Sequence, residues 1–269
     1  MGSDREGAGA CDPLDVETRN RVLHVRFNRP DQMNALDDRM AEGLGQLFRD
    51  FSADQVNVVV LSGAGGNFMA GADLSRLEAW REMRSTDVVE SIGAGFTAAD
   101  VARLSLPVVA AVDGVALGIG FDLCLAADVV IATDRAVFGL PEVDVGLVPL
   151  GGSARELIGR IGLSRANRII MLGERVRAEQ AREWGLVASV VAPDDLEFTV
   201  DSLLKKLLSR SQTAMQAAKR LLRAAPVMSG GEAAEAELNE FVHCLGEADV
   251  VEGIAAVRQR RRPNFEAPR

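Results

Sequence analysis

The sequence predicts an α/β fold: repeated strand, turn and helix units, followed by an all-helical C-terminal region. Three observations carry this. Short apolar runs at Val56 to Leu61 (interrupted only by Asn57), Val108 to Val112 and Val129 to Ala132 alternate with segments of helical spacing, the pattern of strands buried beneath helices. Residues 56–80 and 108–127 echo each other as strand, glycine turn and helix, which reads as a repeated unit. From Asp194 onward the apolar positions keep helical spacing to the end of the chain.

Taken in order, Met1 to Val16 is small, polar and acidic, so residues 1–19 are expected to form a flexible arm and order to begin near Asn20. Residues 20–193 form the expected core and 194–269 the helical region. Arg21 to Phe27 alternates as a strand and stops at Asn28-Arg29-Pro30-Asp31. Leu36, Met40, Leu44, Leu47, Phe48 and Phe51 predict a helix. Val56 to Leu61 is the next strand, and its Ser62 to Gly66 turn lacks the Gly-Lys-Ser/Thr of a phosphate-binding loop. Helical patterns follow over Arg76 to Arg84 and Val88 to Leu104. After the second unit come Ala136 to Phe138, an amphipathic segment at 153–160, helices at 165–172 (Ser164 as N-cap, Gly173 after it) and 178–184 (closed by Gly185), and a last strand at Val187 to Val191.

Composition narrows the function. The chain has 269 residues, 48% hydrophobic, enough for a sizeable core. No apolar run reaches membrane-spanning length without a charge, and the N-terminal stretch resembles neither a signal nor a transit peptide; a soluble, cytoplasmic protein is expected. Cys11, Cys124 and Cys244 are far apart, which suggests neither disulfides nor a metal site. His24 lies in an alternating strand and His243 in an apolar helix, poor material for a Ser-His or Cys-His nucleophile. A net charge of −9 argues against nucleic acid. The excess of Arg, Ala, Gly and Val, with only Lys205, Lys206 and Lys219 as lysines, suggests a GC-rich bacterial source.

The stretch Pro107 to Ala132 carries the chemistry. Gly118 and Gly120 precede a short helix, so the backbone can approach a ligand closely and present N–H groups without helical partners. With the helix dipole, these donors can stabilise an oxygen that becomes negative during a reaction. Asp122 sits in the first turn beside them; it also fits a plain first-turn carboxylate favoured by the dipole. A dinucleotide fingerprint fails because its third glycine would fall at Leu123.

The ordered motifs N-R-P-x-x-x-N-A-L (Asn28 to Leu36), F-x-A-G-A-D-L (Phe68 to Leu74), the 107–128 loop, F-G-L-P-E (Phe138 to Glu142), Gly185-Leu186-Val187, Glu252-Gly253-Ile254 and Arg262-Pro263-Asn264-Phe265 together resemble the crotonase superfamily, the enoyl-CoA hydratase/isomerase family. The resemblance implies a crotonase-like spiral of repeated ββα units with a C-terminal helical oligomerisation region, assembled as a homotrimer or as a hexamer of two trimers. It implies an acyl-CoA substrate, with coenzyme A entering only as part of the thioester and no permanently bound cofactor or metal, and a place in fatty acid metabolism.

The family's oxyanion hole of two backbone N–H groups maps onto Ala70 and Ile119, and its two catalytic carboxylates onto Asp122 and Glu142. Implied substrate-binding positions are Arg29, Ala35, Ala72, Asp73, Leu74, Gly118 and Lys219, with Arg29 and Lys219 as candidates for the CoA phosphates and Arg220 beside Lys219. Three departures stand out: Asp122 replaces the usual, longer Glu; Val148 to Arg155 is less glycine-rich than the family's water-positioning loop; and Ser75 stands where relatives often carry a basic residue. Asp73 also reads as a helix N-cap and Asp144 as a capping or buried hydrogen-bonding residue. The expected activity is hydration of a 2-enoyl-CoA. The alternatives are Δ3,Δ2-enoyl-CoA isomerisation with Glu142 alone, another thioester reaction of the family, and a non-catalytic acyl-CoA-binding scaffold.

Overall fold

A computed structural model describes residues 12–49 and 55–265. Two sheets form. The larger has the order β1 (Leu14–Arg19), β2 (Val22–Phe27), β3 (Val58–Gly63), β4 (Val108–Val112), β6 (Val129–Thr133) and β9 (Ser189–Val191); β1 runs antiparallel to β2 and every other pairing is parallel. The smaller is β5 (Val115–Leu117), β7 (Val137–Gly139) and β8 (Val176–Arg177).

The apolar runs are continuous because the large sheet is covered on both faces. Val59, Leu61, Val108, Ala110, Val112, Val130 and Ala132 join the main core. Their alternate neighbours Val58, Val60, Val109, Ala111 and Ile131 pack with Val200 and Leu204 on the opposite face, as the two-residue period of a strand requires. Those last two residues belong to α8 (Leu196–Leu208), whose apolar side is therefore satisfied within the chain rather than by a neighbouring subunit.

The expected echo is present, and it extends in both directions. Each turn of the chain leaves a strand of the large sheet, makes a short second pairing, and enters a helix. Thus β2 leads through Leu36, which bridges Ala72, into α1 (Asp38–Arg49). Next, β3 leads through Met69, which bridges Ala116, to α2 (Leu74–Arg81). In the same way β4 leads through β5 to α5 (Ile119–Ala126), and β6 through β7 to the 3₁₀ turn Pro141–Val145 and α6 (Ser153–Met171).

Asparagines link these turns of the chain. Fully buried Asn34, at φ 58, donates to the carbonyls of Ala64 (2.9 Å) and Asn67 (2.8 Å), and Asn67 Oδ1 accepts the Val115 N–H at 3.2 Å.

Several expectations need correction. Leu14–Arg19 is a strand, not part of a flexible arm; its side chains beyond Leu14 are exposed, so backbone pairing at a sheet edge, invisible to hydropathy, orders it. Met1 to Cys11 and Phe51 lie outside the described residues. The helix expected from Val88 to Leu104 is two, α3 (Ser85–Ala94) and α4 (Ala98–Ala102); Gly95 is extended at ψ −154°, and Asp100 accepts the Thr97 N–H at 2.8 Å to start the second. Conversely, the segments expected at 153–160 and 165–172 are one helix kinked at Gly162 (φ 76, ψ 162), with Ser164 inside it rather than capping it. Gly173 (φ 61) and Gly185 (φ 80) do occupy the left-handed conformation after α6 and α7 (Ala178–Glu183).

The C-terminal region continues with α9 (Gln212–Ala224), α10 (Gly230–Leu245) and α11 (Ala248–Arg258). Lys219 of α9 is 7% exposed and donates to Asp128 Oδ2 and to the Leu106 carbonyl, both at 2.7 Å. It therefore ties α9 to the ends of the sheet. Replacing Lys219 by Met leaves the buried Leu106 carbonyl without its donor, while Asp128 keeps Arg223 and the Val108 N–H, and is expected to lower unfolding free energy by about 1–2 kcal/mol, measurable by urea denaturation.

Candidate active site

The site forms where the start of α5 packs, backbone against backbone, on residues 69–72. Gly118 is at φ 52, ψ −127, and a Cβ there would sit 3.1 Å from Glu142 Oε1 and 3.4 Å from the Gly71 Cα. A Cβ on Gly120 would lie 2.3 Å from the Met69 carbonyl oxygen. Both glycines are needed for close approach, and Gly118 also for its positive φ. The Gly118 carbonyl accepts from Phe121 (2.9 Å) and Asp122 (3.0 Å). Ile119 N–H, in the first turn of α5, has no acceptor among the described residues.

Opposite it, the structure corrects one donor. Ala70 N–H is spent on the Met33 carbonyl at 3.0 Å. Two residues on, the Leu36–Ala72 bridge uses Leu36 N–H to Gly71 O (2.8 Å) and Asp73 N–H to Leu36 O (3.0 Å), which leaves Ala72 N–H without an acceptor among the described residues. Gly71, at φ 112, lies in van der Waals contact range of the Leu117 carbonyl and the Gly118 Cα. Ala72, expected only as a substrate contact, thus carries the available donor next to Ile119.

Glu142 and Asp122 flank this point in different states. Glu142 is half-buried, its Oε2 is sealed from solvent with no hydrogen-bond partner, and burial raises its pKa. Asp122 is 4% exposed. Its side chain leaves the first turn of α5 and ends at the first turn of α6, where Ser153 Oγ donates to Oδ1 at 2.5 Å. A Cβ on Gly151 would lie 2.5 Å from Asp122 Cγ. Burial, and secondarily the negative charge of Glu142, push the Asp122 pKa up to about 6 against the pull of Ser153 and the Gly151 N–H. The site therefore holds two carboxylates that interact, one pinned and one with a free oxygen.

The remaining expected residues divide. Asp73 caps α2 by accepting from Ser75 N at 3.1 Å. Arg29 donates to the Ala35 carbonyl at 2.5 Å and to Asp73 Oδ2 at 3.0 Å, with Asp37 at 3.3 Å; its guanidinium is a clamp between motifs rather than an open phosphate ligand. Lys219 is consumed as described above, and Arg220 pairs with Glu240 at 2.6 Å. Leu74 is 65% exposed and Ala35 half-buried at the rim. Asp144 is exposed, 3.2 Å from where a Cβ of Gly173 would be, not buried. Ser153 and Gly151 were not foreseen: one serine at a helix start gives no signal until the fold brings it to Asp122. Among the described residues no group of three or more His, Cys, Asp or Glu side chains could hold a metal ion, and no helix is long and apolar enough to cross a membrane.

The chain has clear relatives among known proteins. A family model described as enoyl-CoA hydratase/isomerase matches residues 17–268. The chain is 36% identical to the 2,3-dehydroadipyl-CoA hydratase of Escherichia coli (94% of this chain, 98% of the relative) and 32% identical to a carnitinyl-CoA dehydratase of Proteus mirabilis (94% and 98%). Among solved structures it resembles an enoyl-CoA hydratase from Mycobacterium tuberculosis, with 33% identity, TM-score 0.83 and coverage of 94% and 98%.

The raised pKa of Asp122 has a consequence for stability. Its ionisation is harder in the folded protein than in the unfolded chain, so the folded state is progressively disfavoured as pH rises from about 4 to about 6. Above that window the penalty is about 3 kcal/mol for a gap of about two pH units. Asp122→Asn should therefore raise the melting temperature at pH near 7.5 more than at pH near 4, as read by calorimetry at both values.

Proposed function

We propose, from the premise that the chain belongs to the enoyl-CoA hydratase/isomerase family, that this enzyme hydrates a 2-enoyl-CoA thioester. The observation that carries the reading is the Glu142 carboxylate, with Oε1 over Gly118 and Oε2 buried without a partner, beside the Ile119 and Ala72 N–H groups that have no acceptor among the described residues.

Water addition needs a base for the attacking water, a place for negative charge and a proton for the α-carbon. In this reading the Ile119 and Ala72 N–H groups hold the thioester oxygen. As the water oxygen bonds to the β-carbon, the carbon–carbon π pair moves toward the thioester, and its oxygen becomes an enolate that preorganised donors stabilise by roughly 3 kcal/mol each. The Glu142 carboxylate takes the water's proton and returns a proton to the α-carbon, giving a 3-hydroxyacyl-CoA with no net change in the protein. Asp122 is the second carboxylate facing the water. The relatives named as a hydratase and a dehydratase of CoA thioesters support water as the co-reactant.

One observation favours a second reading. The Asp122 carboxylate is held by Ser153 and Gly151, and Δ3,Δ2-enoyl-CoA isomerisation, in which one carboxylate moves a proton, would use Glu142 alone. The conjugated-thioester absorbance of crotonyl-CoA separates the two. Its loss on adding the protein, with 3-hydroxybutyryl-CoA found by mass, is the expected result; an unchanged band, with a rising band from a 3-enoyl-CoA, would move the assignment to isomerase. Glu142→Gln should cut kcat by about 10²–10⁴-fold while acyl-CoA binding, measured by calorimetry, persists.

Assembly as a homotrimer or a pair of trimers is part of the same proposal. Leu238, Phe241, Val242 and Leu245 of α10 are 56–65% exposed, and Val257 of α11 is 79% exposed, an apolar surface that favours burial against another copy. Sedimentation equilibrium is expected to give three or six times the 28.7 kDa chain mass, and the double replacement Phe241→Asp and Leu245→Asp to shift it toward one.

A further inference from the structure

Asp122 is a methylene shorter than the family's usual glutamate, and the structure shows where that shorter side chain goes. It crosses from the first turn of α5 to the N-terminal end of α6, whose first segment runs from Ser153 to the Gly162 kink. There Ser153, 2% exposed, donates its hydroxyl to Oδ1, and Gly151 packs against the carboxyl carbon. A carboxylate this buried keeps its charge only where donors and a helix N-terminus face it.

We propose that Ser153 is a positioning residue for the acid–base pair: its hydroxyl and the start of α6 fix the orientation and ionisation of Asp122 beside Glu142. The proposal rests on the hydratase reading and deepens it. The groups facing Asp122 are Glu142 from the 3₁₀ turn, Ser153 and Gly151 from the α6 start, and Cys124 on its own helix, with the Arg160 charge of α6 acting on Cys124. Among these, the Ser153 hydroxyl and the Gly151 N–H favour the ionised form, while Glu142 and burial oppose it. Removal of the hydroxyl therefore shifts Asp122 toward its protonated form.

The test compares Ser153→Ala and Ser153→Thr with the unmodified protein. In Ser153→Ala the acidic limb of kcat/KM is expected to move up by about one pH unit, with kcat near pH 6.5 falling about threefold and KM for crotonyl-CoA staying within about twofold. Ser153→Thr, which keeps the hydroxyl, is expected to restore both. A fall in kcat with the limb unmoved, or a rise in KM alone, overturns the proposal, because the first is a purely structural effect and the second a substrate contact. Melting temperature against pH reads the same titration without substrate: its fall should extend about one unit higher in Ser153→Ala. If the unmodified protein turns over no enoyl-CoA, the hydratase reading fails and this second readout alone decides the role of Ser153, an unmoved curve overturning it.

Discussion

Everything at the site depends on two stretches of backbone lying closer than side chains allow. Gly120 sits against the Met69 carbonyl and Gly118 against Gly71, so any larger residue at either place would part the start of α5 from the 69–72 segment. Their separation matters because each contributes one unpaired N–H, and a single oxygen can be held by both only if they converge. The contact is held from outside as well. The Met69–Ala116 and Leu36–Ala72 bridges fix its register, and Asn34 ties the loop after β2 to the loop after β3. The spiral of repeated units is thus the means by which two helix starts and two loops meet at one point.

This dependence explains what hydropathy could and could not tell. The apolar runs of β3, β4 and β6 were legible because a sheet buried on both faces admits no polar alternation. That Glu142, Asp122 and Ile119 come together was legible because a resemblance of ordered motifs points to each. β1 was not, because its stability lies in backbone pairing while five of its six side chains face water. The Ala70 assignment failed for a related reason: motif position says which segment supplies a donor, but only the hydrogen-bond ledger of the folded chain says which N–H is left over. Likewise Arg29 and Lys219 look like phosphate ligands in sequence, yet each is claimed by carboxylates and carbonyls far away in the chain.

Those cations show how an acidic chain spends its few buried positive charges. Arg29 fastens Asp73 and Asp37, Lys219 and Arg223 both reach Asp128, and Arg160 and Arg223 cap the Leu125 and Ala126 carbonyls at the end of α5. Cations at a helix C-terminus offset its dipole, so α5 is fixed at its far end by charge and at its near end by glycine contact. None of these cations faces the Asp122–Glu142 pair closely enough to hold both carboxylates ionised; burial raises each pKa instead.

Leaving that pair without a compensating cation is destabilising, and it is also what the proposed hydration requires of the pair. A carboxylate neutralised by an arginine would be fixed well below neutral pH and would give back no proton. One raised toward neutrality can accept and return a proton at the pH where the enzyme works. The cost is confined by dividing the work: Ser153 and the α6 start make Asp122 bearable, while Glu142 keeps one oxygen without any partner. An unpaired buried oxygen is a defect anywhere else in a protein interior. Here it belongs to a carboxylate whose other oxygen lies over Gly118, at the start of α5.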